Sequence, residues 1–201
     1  MTVNVTNRRS ILKWSIITVG ALTFGLLAGW LHGNNGGLRG SIGNVSAPWL
    51  FVAIVPAWWA GSAMRGALQG TLTTFVALLG FYISLTASMY GHLGNIHGLL
   101  PSFERVINTN LIWFAAGLIS GPVCGALAAI MGARLQQTWL GITIGALMVG
   151  EVIVVAAIQN VTLPIVHVGW AANDARVSST EVLLGVLVIA LATVRRYRVQ
   201  R

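Results

Sequence analysis

The chain has 201 residues, of which 56% are hydrophobic and only 8% charged. A soluble domain is usually about one quarter charged, so this chain lacks the polar surface needed to face water on all sides. Its net charge of +8 does not mark a nucleic-acid binder, because the basic residues sit at the ends of apolar segments and not along one face.

A helix needs about 20 mostly apolar residues to cross a hydrocarbon core of about 30 Å. On that measure the sequence predicts an all-α, polytopic membrane protein: one bundle of six transmembrane helices forming a single domain over 1–201. The first predicted span is 14–31. Arg8-Arg9-Ser10-Ile11-Leu12-Lys13 ahead of it has the look of a twin-arginine export signal. However, no small-x-small cleavage site follows and five further spans do, so the segment reads as a retained first helix with a basic anchor.

The second span is predicted at 47–64 and the third at 66–90, joined by a short turn around Arg65. The fourth is at 109–132 and the fifth at 139–158, joined through Ala133–Thr138. The sixth, 180–194, is the shortest. Charge supports it. With six spans, Arg8, Arg9, Lys13, Arg65, Arg134, Arg195, Arg196, Arg198 and Arg201 share one side, leaving Arg39, Arg105 and Arg176 on the other. An excess of Arg and Lys in short connections marks the cytoplasmic face, so both termini are expected in the cytoplasm of a cell (plasma) membrane protein. The three long connections, 32–46, 91–108 and 159–179, are then outside. They hold all four histidines as well as Glu104 and Asp174. Trp30, Trp49, Tyr90 and Trp113 fall at the outer interface, and Trp14, Trp58, Trp59 and Trp139 at the inner one, as aromatic belts do.

Glu151 is the sharpest chemical feature. It stands about 18 Å into the fifth helix at about 1.5 Å per residue, near the middle of the membrane. A carboxylate there must be paired, protonated or beside water, and faces the bundle interior. Pro56 and Pro122 free backbone carbonyls at similar depth, and Tyr82 can bring a hydroxyl to the same layer. Broken helices at the midplane often mark transporter sites. Ala21, Gly25 and Gly29 form a small-residue ridge on the first helix; Gly117, Gly121 and Gly125 form one on the fourth, and Gly141 and Gly145 on the fifth. Such ridges allow close helix packing or the docking of a partner. The second–third and fourth–fifth pairs share a faint order of Trp, Pro, Arg and Gly. His92, His97 and Glu104 have no metal-ligand spacing, and no nucleotide-binding or hydrolase motif is present. Neither a catalytic residue, a metal nor a cofactor is expected. Cys124 has no partner for an intrachain disulfide.

Asn44-Val45-Ser46-Ala47-Pro48-Trp49, Arg65-Gly66-Ala67-Leu68, Gly80-Phe81-Tyr82, Gly121-Pro122-Val123-Cys124-Gly125-Ala126 and Gly150-Glu151 carry a resemblance. Over roughly residues 40 to 160, the chain resembles a family of small six-span bacterial membrane proteins, mainly actinobacterial, known only as a domain of unknown function. The family pattern has a tyrosine soon after the glutamate, where this chain has Val152 to Val155. The resemblance implies the topology and no activity. In architecture alone the chain is similar to the substrate-binding subunits of energy-coupling-factor vitamin transporters.

The leading expectation is a non-enzymatic protein of the lipid bilayer that binds or helps move a small polar or amphipathic solute from the outer face. Glu151 would be its anchor, with Tyr82, Trp49, Trp113, Pro56 and Pro122 around the ligand. The alternative is an accessory or assembly protein that docks a membrane protein partner through its small-residue ridges. No nucleic-acid partner is expected.

Overall fold

The computed structural model describes residues 5–32, 37–43, 45–90, 99–135, 137–159 and 174–199. They form eight helices and, among the described residues, no strand: α1 (Val5–His32), α2 (Gly37–Gly43), α3 (Ala47–Ala57), α4 (Ala63–Tyr90), α5 (Leu99–Thr109), α6 (Leu111–Arg134), α7 (Thr138–Gln159) and α8 (Ala175–Val199). Six stretches are long and apolar enough to cross a membrane: Leu12–His32, Leu38–Ala57, Ala63–Met89, Phe114–Arg134, Thr138–Ala157 and Ala175–Tyr197. The protein is an all-α, multi-pass membrane bundle.

The second crossing differs from the continuous 47–64 segment expected. It starts earlier, at Leu38, and is broken into α2 and α3. It also ends earlier, at Ala57, because the chain turns through 58–62, where Gly61 takes a positive φ of 76° that favours glycine. The Arg65 amide donates to Ser62 Oγ at 3.4 Å, so Ser62 caps the start of α4 and Arg65 lies in its first turn, not in the connection. The sixth crossing is longer than expected. It starts at Ala175, where the amides of Val177 and Ser178 donate to the Asp174 carbonyl and that of Arg176 to the Asp174 side chain.

Among the described residues, α2 lies in the first of the long connections and α5 in the second. α2 lies against the end of α1: Arg39 Nη2 donates to the Trp30 carbonyl at 2.5 Å, and its guanidinium stacks 3.6 Å from the Trp30 ring centre. α5 is amphipathic, with Phe103, Val106 and Ile107 packed against Leu78, Tyr82 and Leu85 of α4, and Glu104, Arg105 and Asn108 exposed. His92, His97 and His167 lie outside the described residues.

α4 is the central helix, packed by α1, α3 and α6. In lipid there is little hydrophobic force between apolar helices, so backbone proximity and close packing hold them. The small residues supply it. A side chain on Gly25 would run into the Ala77 carbonyl, and one on Gly66 into that of Gly125. α7 and α8 pair in the same way, a Cβ on Gly185 falling 2.8 Å from the Gly145 carbonyl. The ridges foreseen on α1, α6 and α7 are thus occupied inside the molecule. At the end of the bundle that carries Arg65 and Arg134, Ile54, Ala57, Trp58 and Ala128 form a buried cluster that Trp139, Leu140 and Leu147 of α7 complete. Trp58 is in this core, whereas its neighbour Trp59 is half exposed.

Candidate functional site

The break in the second crossing exposes the start of α3. The first amides of any helix have no partner within it. A serine before the first turn normally supplies one through its side chain, but Ser46 makes no such bond. Glu151 of α7 takes that place. The Ser46 amide donates to Glu151 Oε1 at 2.5 Å, and the Ala47 amide donates to Glu151 Oε2. Both carboxylate oxygens are therefore engaged at the positive end of a helix, where a negative charge is favoured. Pro48 suits this place, since proline in the first turn costs no hydrogen bond.

The second carboxylate of the site belongs to α8. Glu181 is a neighbour of Glu151, in the α7–α8 register that sets Gly185 against Gly145 and Met148. It is only 7% exposed, and its Oε1 is buried without a hydrogen-bond partner. Few carboxyl groups are so buried without a reason. The depth is also unusual. At about 1.5 Å per residue, Ala47 lies about 15 Å along α3 from Ala57, and Glu151 about 20 Å along α7 from Thr138. Glu181 lies about 24 Å along α8 from Tyr197 by the same measure. In a hydrocarbon core of about 30 Å, the pair and the half-helix start meet well inside the bilayer.

Aromatic rings seat the other side of α3. Trp49 packs edge-on against Phe24 of α1 at 5.1 Å and against Phe81 of α4 at 5.3 Å. Phe81 meets Tyr82 at 5.2 Å, and Tyr82 meets Phe114 of α6 at 5.8 Å. The Tyr82 hydroxyl donates to the Asn110 carbonyl at 3.4 Å. The fold thus joins Trp49 and Tyr82 in one aromatic row and places Glu151 just ahead of Trp49 at the start of α3.

The remaining expected residues stand elsewhere. Pro56 is near the opposite end of α3, where with Leu12, Val52 and Trp59 it lines an apolar groove of about 690 Å³ between α1 and α3. Pro122 is in α6, beside Gly121, which faces Thr74 of α4. The Trp113 side chain lies outside the described residues. Among the described residues no group of three or more His, Cys, Asp or Glu could hold a metal.

Sequence reasoning missed Glu181 as a partner and the start of α3 as the seat. One signal was available: Asn44-Val45-Ser46-Ala47-Pro48 reads as a helix start, preceded by apolar residues that could already belong to the membrane. Glu181 is the second residue of the 180–194 span read from the sequence, but it lies six residues into a helix that begins at Ala175.

In comparison with known proteins, no family model, no curated protein and no solved structure matches the chain.

Proposed function

We propose that the chain is a non-enzymatic protein of the plasma membrane that binds, and helps move, a small polar or amphipathic solute at the break in its second crossing. One observation carries this reading: Glu181 keeps a buried carboxylate oxygen without a hydrogen-bond partner beside the Glu151 cap of α3. Discontinuous helices whose ends meet polar groups inside the membrane are a recurring form of transporter site. Here the carboxylates accept hydrogen bonds or a positive charge, so the polar part of the solute is a donor or a cation. The partly exposed rings of Trp49 and Phe81 supply apolar surface for the rest of it. The excess of basic residues at the end with Arg65 and Arg134 orients that end, and both termini with it, toward the cytoplasm. The solute then enters from the opposite face.

Native mass spectrometry of protein gently extracted from its own membrane tests the reading, comparing wild type with Glu151→Gln and Glu181→Gln. A small molecule kept by wild type and lost from both variants supports it and identifies the occupant. If all three carry no small molecule and the same protein partner, the accessory role is correct and the carboxylates only fix helix packing.

A further inference from the structure

Two carboxylates that face one another in apolar surroundings are not left with two negative charges and no counter-charge. The two members of this pair have different partners. Glu151 receives an amide N–H on each oxygen, from Ser46 and Ala47, and lies at the positive end of α3. Both of its oxygens are therefore already engaged by donors. Glu181 has no such donors among the described residues and is 93% buried, with Oε1 unpartnered. No cationic side chain is paired with it among the described residues: α2, which also packs on α8, carries Arg39, and that guanidinium is held on Trp30. Arg195 and Arg196 lie at the far end of α8, with Arg196 over the Trp139 ring.

We infer that the Glu151–Glu181 pair is a binding site for one exchangeable proton, held on Glu181 and facing the Glu151 carboxylate. The inference deepens the solute reading and rests on the same two side chains, but it needs no solute to be present. When the proton leaves, the O–H bond of Glu181 breaks, the electron pair stays on the carboxylate, and the proton passes to water or to a bound base. The pair is then dianionic until a proton or another monocation returns. α3 and α7 are tied through Glu151, so the charge of the pair acts directly on the joint between the α7–α8 hairpin and the broken crossing.

The test is infrared difference spectroscopy of the purified full-length protein in lipid, in H2O and in D2O. Wild type is expected to show the C=O band of a buried protonated carboxyl, shifted by D2O. The band is lost in Glu181→Gln and kept in Glu151→Gln, since removing the anion leaves Glu181 still buried. If Glu181→Gln does not fold, Glu181→Asp serves instead, with the band moved but present. Absence of the band in wild type, its survival in Glu181→Gln, or no response to D2O overturns the inference. The two readings fail separately. The band without a retained solute leaves the proton site and removes the solute, and a retained solute without the band does the reverse.

Discussion

Glu151 and Ser46 divide between them a task that one residue usually performs. The serine stands in the capping position, but the carboxylate of another helix takes the amides. Replacing a capping serine by alanine commonly costs about 1 kcal/mol. Here Ser46→Ala is expected to change stability by less than about 0.5 kcal/mol, since no side-chain bond is lost. Glu151→Ala leaves two amides unpaired inside the bilayer and is expected to cost about 2–4 kcal/mol. Glu151→Gln keeps one good acceptor and falls between. Thermal unfolding of the three variants in the same detergent gives the order. A Ser46→Ala loss as large as that of Glu151→Ala would show that the serine, not the glutamate, caps α3.

At the scale of elements, glycine contacts decide which helices can approach. A Cβ on Gly25 would meet the Ala77 carbonyl, whereas one on Gly150 meets nothing within 4 Å. Gly25→Ala therefore forces α1 away from α4 and is expected to cost about 1–3 kcal/mol, as overpacking does. Gly150→Ala is expected to be neutral or slightly stabilising, since it replaces a helical glycine without a clash. Melting curves followed by size-exclusion chromatography would separate them, and equal behaviour would rule out close α1–α4 packing.

The same contacts show what the sequence could and could not reveal. Residues such as Gly25 and Gly145 announce close packing by their spacing, because periodicity fixes which residues share a face. It does not say which helix that face meets. The α4–α6 partnership through Gly66 and Gly125 is a tertiary fact. The depth of Glu151 was legible because it follows from counting residues along one uninterrupted helix. Its amide partners, Ser46 and Ala47, were not, since they lie over 100 positions away in the broken second crossing. Trp49 read as an interfacial anchor by its place near a predicted helix end. In the fold it lies between Phe24 and Phe81, because α3 starts inside the bundle.

The whole molecule depends on whether α2 and α3 together make one crossing. α3 has 11 residues and spans only about 16 Å at about 1.5 Å per residue, too short for a core of about 30 Å. With α2 the stretch from Leu38 to Ala57 reaches 20 residues and suffices. The number of crossings is then even, and the turn at Ser62 lies on the same side as Gln137 and opposite to Asn108 of α5. All three are exposed. Single cysteines at these positions, in a Cys124→Ala background, are therefore expected to divide cleanly under a membrane-impermeant maleimide applied to intact cells. Asn108→Cys is expected to react from outside, and Ser62→Cys and Gln137→Cys only after the membrane is opened, the outcome that the basic Arg65 and Arg134 beside them predict. If Ser62→Cys and Gln137→Cys react in intact cells while a single cysteine at the exposed Lys13, in the N-terminal part of α1, does not, α2 and α3 form a re-entrant pair that returns to the face it left. The carboxylate pair would then sit at the tip of a loop, and the parity that places both termini together would fail.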